Sequence, residues 1–600
     1  MPPFSCPALE RCLRLHIDTA AADEIILQLP VKDADVLYKL YDRTIVLLER
    51  ALWNSGLSQP LLEDYHALFV ELEAHIGAGG DDFRHRFVVV VPVADRPQQL
   101  GACLQSLVGM LQAFQYGKGG AMLSESLSVV IADDSREQAH IAENRLIAKE
   151  TERQGLAVTY FGLQEQQAML ASMTQAERQA LRNVIGEAAV EAFYHKGASV
   201  MRNITSLLLH RMAQQDKDLL FLFVDSDEQF HASTDPSRKL FTTNYFYHID
   251  RIFRQGNVQV LTGKVVGDPP VSPAVMAATL LDDAVCFIEE LMSLDATATC
   301  SFHGCCTATA DAAYHDMAGL FGFAPADKPF RFQCSLAGAH NHADCLAGFA
   351  GRLNGFFDGE HPTRMTAYRH TDVEAGVSAA RTVYTGNYVL SPAALQYFIP
   401  FAGLGLRMAG PVLGRLVQSG IGEAFVAANL PLLHSRTVPG SGNAEFRTGV
   451  DRSSALVDLS GEFERQFFGD VMLFTVIELI AEAYPVSMPD AGRVSDIVHA
   501  TQSRMRAAYA ANQSRLLQRL VVLEALLESP HCWWSAAAEF ADTRALLEQF
   551  IASLHANFDM QANAFRLIDD EVHCKERQQA IVEALLAYRE DRESWCRLLG

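Results

Sequence analysis

Two patterns alternate along this chain: short unbroken apolar runs, and longer stretches where apolar residues return every third or fourth position. Residues 87–93 (Phe-Val-Val-Val-Val-Pro-Val), 127–132 and 219–224 (Leu-Leu-Phe-Leu-Phe-Val) are runs of the first kind. So short and unbroken a run predicts a strand buried on both faces. Residues 425–433 predict a late strand, and Thr-Gly-Lys-Val-Val-Gly-Asp-Pro-Pro at 262–270 predicts the end of another. Between the runs lies the helical pattern. Leu100, Leu104, Leu107 and Leu111 share one helix face, as do Ile204, Leu207, Leu208 and Met212 after Gly197. Strands alternating with helices predict an α/β fold with a mostly parallel sheet, and a ligand crevice along its carboxyl edge.

The flanks carry only the helical pattern. Val36, Leu37, Leu40, Tyr41, Thr44, Leu47, Leu48, Ala51 and Leu52 predict an amphipathic helix over 33–53, and 60–75 predicts another. Gly-Ala-Gly-Gly at 77–80 breaks the pattern and places a boundary near Asp81. Helices are also expected over 513–528, 543–558 and 578–595. The expected organisation is a helical region over 1–80, an α/β domain over 81–455 and a helical region over 456–600.

Polar residues cluster where the apolar runs stop. Asp225 and Asp227 follow the run at 219–224 directly. Strand side chains at i and i+2 point the same way, so both carboxylates are expected to reach one hard divalent cation. The bland reading is that Asp-Ser-Asp merely starts a turn. Asp133-Asp134-Ser135 follows a second run, and Pro92-Val-Ala-Asp95-Arg96-Pro97 closes a third.

Taken in order, these motifs resemble those of glycosyltransferases of the GT-A fold. That family has Pro-x-x-x-Arg-Pro, then Asp-Asp-x-Ser, an Ala-Arg-Asn-like helix start and an Asp-x-Asp motif. Here Asp133-Asp134-Ser135 lacks the spacer, and Arg202-Asn203 stands at the helix start. Thr385-Gly386-Asn387 resembles the family's Gly-Gly-Asn segment on the acceptor side, and Leu430-Pro-Leu-Leu-His434 its late strand. The resemblance runs from about 86 to 436, with 273–381 a variable acceptor-side insertion. It implies that Asp225, Asp227 and His434 hold Mn2+ or Mg2+. It also implies that Pro92, Asp95, Arg96, Asp133 or Asp134, Arg202, Asn203, Asp225, Gly386 and Asn387 line the nucleotide-sugar site. Arg202 is expected against the diphosphate, whose geometry suits a guanidinium fork. Lys264 and Asp268 are expected at the sugar, with turn chemistry around Gly267 as the plainer reading.

No catalytic base is evident. The place where the family carries one, residues 405–412, has no carboxylate, and Glu423 and Asp470 are the substitutes. Each reads more readily as a solvated helix residue, and the gap favours a retaining mechanism assisted by the departing phosphate. The expected activity is metal-dependent transfer of a sugar from a nucleotide sugar to an unidentified acceptor. A sugar-phosphate nucleotidyltransferase is one alternative, against which stands the lack of a Gly-rich phosphate loop. A non-catalytic nucleotide-sugar-binding protein is the other.

Composition removes other partners. A net charge of −23 and a pI near 5.3 argue against nucleic acid and anionic lipid. No apolar run approaches the roughly 18 residues of a membrane span, and the first residues do not read as a signal peptide, so a cytoplasmic location is expected. Twelve cysteines in 600 residues read as reduced thiols. Any homo-oligomer is expected to form through the helical flanks. Cys300, His303, Cys305 and Cys306, with Cys334, His340, His342 and Cys345, have ligand chemistry for zinc but no paired Cys-x-x-Cys. Small buried thiols are the commoner outcome.

Overall fold

The computed structural model describes residues 4–17, 20–79, 82–118, 122–186, 193–232, 240–303, 332–364, 368–384, 386–437, 446–454, 456–535 and 538–600. Its nine strands are β1 (Arg86–Val93), β2 (Leu127–Asp133), β3 (Ala157–Phe161), β4 (Leu219–Val224), β5 (Glu228–Gln229), β6 (Val260–Gly267), β7 (Ser378–Ala379), β8 (Asn387–Leu390) and β9 (Phe425–His434). They form one sheet in the order β3-β2-β1-β4-β8-β6-β9-β5, with β7 also on β9. The longer registers, β3-β2-β1-β4 and β6-β9, are parallel, and β8 runs antiparallel between β4 and β6. The expected α/β architecture with a mostly parallel sheet is therefore present.

Alternation along the strands gives the sheet two apolar faces. Val88, Val90, Phe221 and Phe223 face one core, and Val89, Val91, Leu220, Leu222 and Val224 face the other. The first core is completed by the C-terminal helices Ser460–Ala481, Ala491–Leu527, Ala541–Phe558 and Glu571–Leu599. The second is completed by the N-terminal helices, through Leu37, Leu40, Tyr41, Leu48, Tyr65 and Phe69. Each helical flank covers one face of the sheet, which explains why the central strands β1 and β4 are apolar at consecutive positions.

Helix ends differ from the expectation in instructive ways. Ala34–Asn54 begins where Asp33 accepts from the N–H groups of Asp35 and Val36. Gln59–Gly79 runs three residues into the glycine stretch, because the packed face N-terminal to it carries the helix onward. Residues 513–528 are only the last turns of the 37-residue helix Ala491–Leu527. Among the described residues no helix is long and apolar enough to cross a membrane, and the described cysteines are free thiols.

Candidate functional site

The carboxyl ends of β1, β4 and β9 meet at one edge, and the expected residues there are built from local turns. β4 ends at Val224, so Asp225 and Asp227 lie in a turn closed by the Glu228 N–H donating to the Asp225 carbonyl at 3.0 Å. Strand alternation therefore does not align the two carboxylates, and the geometric reason given for their sharing one ion does not hold. Asp225, a third exposed, pairs with Arg202 from the helix Ala198–Gln215. Asp227 is buried and accepts from Arg96 at 3.0 Å, with His434 Nε2 at 3.4 Å and Arg436 at 3.7 Å from the same oxygen. Burial alone would push the Asp227 carboxyl up. His434, then Arg96 and Arg436, outweigh it and hold the group far below the usual carboxylate range.

Glu228, absent from the expectations, completes this turn. It is 2% exposed and its Oε2 accepts the Asp225 N–H at 3.0 Å. Burial first, then the charges of Asp225 and Asp227, push its pKa well up, which favours the neutral acid. Gly386 approaches so closely that a Cβ there would stand 2.6 Å from both Glu228 carboxylate oxygens. Three guanidiniums (Arg96, Arg202, Arg436) thus stand around Asp225 and Asp227, with Asp268 beside Arg436.

His434 ends β9, where its Nδ1 faces the Asp268 carbonyl at 2.5 Å. A carbonyl only accepts, so Nδ1 carries the proton and Nε2 is the nitrogen turned to Asp227. The turn that brings Asp268 there needs Gly267, whose φ of +88° suits glycine and whose Cβ would meet the His434 carbonyl oxygen at 2.5 Å. Asp268 also accepts the Arg436 N–H at 3.0 Å.

The nucleotide-side candidates are more deeply tied into the fold. Asp95, at φ +54°, accepts from the Arg136 and Glu137 N–H groups at 3.1 and 3.0 Å and bonds His195 at 2.6 Å and His140 at 3.2 Å. Burial works against its charge, but those donors, backbone first, prevail and lower its pKa. Asp133 is spent on Ser135 N–H, Asn144 and Tyr160. Asp134 forms a buried ion pair with Lys196, and burial shifts both partners toward neutrality. Asn203 holds the Val184 and Ile399 backbone, and Asn387 the Lys264 and Leu430 carbonyls. Pro92 lies inside β1 opposite Ala132.

Three expected residues stand elsewhere. Lys264 is not at a strand end but within β6, buried, donating to Asn429 at 3.1 Å. Glu423 sits before the first residue of β9, the opposite end from His434. Asp470 is buried among the C-terminal helices, accepting from Tyr509 at 2.6 Å and Gln466 at 2.9 Å, and burial raises its pKa to about 6 despite both donors. Neither carboxylate is placed to serve as a base at this edge. Arg436, Lys196, His195 and Glu228 were missed. Glu228 and Lys196 adjoin recognised motifs and Arg436 closes the late-strand motif, which is the signal the sequence offered for them.

No family model and no curated protein sequence matches this chain. Among solved structures it aligns with S. aureus TarS at 11% identity over 78% of this chain and 55% of that one, with a TM-score of 0.27. The alignment thus spans little more than half of TarS. It also aligns with a mannosyltransferase, PcManGT from Pyrobaculum calidifontis, in a structure holding GDP-Man and Mn2+. There the identity is 10% over 91% of this chain and 98% of that one, with a TM-score of 0.27. Likeness this faint carries no weight for residues or chemistry.

Proposed function

We propose that the protein is a metal-dependent glycosyltransferase, moving a sugar from a nucleotide-sugar donor to an acceptor at the carboxyl edge of the sheet. The observation that carries this reading is the guanidinium set around Asp225 and Asp227: Arg202 on one, and Arg96 and Arg436 on the other, with the His434 imidazole beside them. A diphosphate offers the guanidiniums new anionic partners, and charge-assisted bonds to phosphate are among the strongest available.

Asp225, Asp227 and His434 would then hold Mn2+ or Mg2+. His434 Nε2 and Asp227 Oδ2 stand 3.4 Å apart, while Asp225 lies farther off on Arg202, so the three would come together only as the ion binds. Such an ion supplies Lewis-acid stabilisation of the departing diphosphate. Arg202 and Arg436 offset the remaining phosphate charge, and the buried carboxyl of Glu228 keeps the turn in place. Phe446, 37% exposed and stacked on His195 at 4.0 Å, offers a flat apolar surface for a nucleobase. With Glu423 and Asp470 placed away, the donor phosphate is left to take the acceptor's proton, so retention of configuration belongs to the same proposal.

Thermal unfolding of the full chain against a panel of nucleotide sugars tests the donor site. At about a hundred times its dissociation constant, a donor stabilises the native state by about 2.7 kcal/mol. One donor class should raise the unfolding midpoint in Mn2+ and lose most of that effect in EDTA. Arg436→Ala should weaken the same donor roughly 10- to 100-fold, as loss of a charged hydrogen bond implies. No midpoint change with any donor would remove the proposal.

A further inference from the structure

We propose that Cys300, His303, Cys334 and His340 form a tetrahedral zinc site, which joins the chain segments on either side of residues 304–331. One ligand atom from each of the four residues lies within 4.8 Å of every other. His303 Nε2 and His340 Nε2 are 3.0 Å apart, and Cys334 Sγ is 3.3 Å from His340 Nε2. Zinc bonds of 2.3 Å to sulfur and 2.0–2.1 Å to nitrogen at tetrahedral angles imply edges of roughly 3.3–3.8 Å. Those two pairs stand at or just inside those edges, and all four atoms lie within 4.8 Å of one another. Two sulfurs and two imidazoles in tetrahedral reach suit Zn2+ above the oxygen-seeking cations of the sheet edge.

Backbone pairing prepares this arrangement. Cys300 N–H donates to the His340 carbonyl at 3.0 Å, Cys334 N–H to Phe302 at 3.1 Å, and Thr299 bridges Asn341. The ligand segments are therefore held side by side by bonds that do not involve the ligand atoms. His340 Nδ1 faces the Gly338 carbonyl at 2.9 Å, which fixes the proton there and turns the Nε2 lone pair inward. Cys300 and Cys334 are buried while His303 is exposed, so the site has a dry interior and an open side for entry.

Cys345 is a buried thiol beside Cys300 and Cys334 and stands as the reserve sulfur of the site. His342 is engaged at both ring nitrogens, by Asp295 O at 2.7 Å and the Ser301 N–H at 3.1 Å. Cys305 and Cys306 lie outside the described residues. The sequence alone withheld this set because its spacing, Cys-x2-His and Cys-x5-His across thirty residues, matches no paired-cysteine ribbon. Four protein ligands close the coordination sphere, so the site is structural and distinct from the sheet-edge cation.

Metal analysis of the full chain, purified in reducing buffer without chelator, decides it. The expected result is one zinc per chain, kept in Asp227→Asn and lost in Cys300→Ser/Cys334→Ser. Because the double variant can fail to fold, wild-type chain is also stripped and refilled with Co2+. Thiolate-to-cobalt charge-transfer absorption should appear at one equivalent, and two thiols should become protected from alkylation. Absence of stoichiometric zinc together with no such absorption would overturn the site. So would a folded double variant that still carries one zinc.

Discussion

A single methyl group tests the turn that carries Asp225 and Asp227. Gly386 lies against the buried Glu228 carboxyl, which cannot withdraw without releasing the Asp225 N–H. Gly386→Ala should therefore lower stability by about 1–3 kcal/mol, the usual cost of overpacking. Chemical denaturation measures it, and a variant as stable as wild type would show that the turn yields freely. At this scale the sequence was legible where a polar residue follows an apolar run. Asp225, Asp227 and His434 stand out that way, Arg202 by its place at a helix start and Arg96 by its place in the Pro-x-x-x-Arg-Pro motif. What those residues bind was not legible, because Asp227 meets His434 across more than two hundred positions. Lys264 misled for a related reason. An apolar strand on both faces can still bury one amine when a facing amide, here Asn429, accepts from it.

Among the elements, β1, β2, β4, β9 and the end of β6 were readable because both sheet faces are covered there, whereas the short or half-exposed β3, β5, β7 and β8 were not. The long C-terminal helix was not, because its first half is polar on the exposed side and masks continuity. One contact between elements should show in pH dependence. His248, in the helix Tyr245–Gln255, bonds Glu49 of Ala34–Asn54 at 2.8 Å, with Glu374 at 3.6 Å. Burial disfavours its charge, but Glu49 and Glu374 prevail and raise its pKa to about 9. The unfolded histidine titrates near about 6.5. Between those values the native state binds the extra proton, so this contribution is full below about 6.5 and is lost as pH rises to about 9. Thermal midpoints across that window should fall more steeply in wild type than in Glu49→Gln, which keeps the shape and removes the charge. Parallel curves would place the histidine proton elsewhere.

Across the whole molecule, a net charge of −23 coexists with three arginines gathered at the carboxyl edge of the sheet. The acidic surface says nothing about what the carboxyl edge binds; the arginines gathered around Asp225 and Asp227 bear on it more directly. Two helical lids hold the sheet rigid from both faces, and the strand ends and their loops are left to carry chemistry. The measurement that bears most directly on the central claim is release of free nucleoside diphosphate from the donor that binds. The assay compares wild type with Asp227→Asn in Mn2+, with circular dichroism confirming both are folded. The prediction is turnover by wild type and a loss of about a hundredfold or more in the variant, the scale of removing one preorganised electrostatic group. Equal release by the two proteins would contradict the account. Binding without release by wild type would do so as well, and would leave a nucleotide-sugar-binding protein in place of an enzyme.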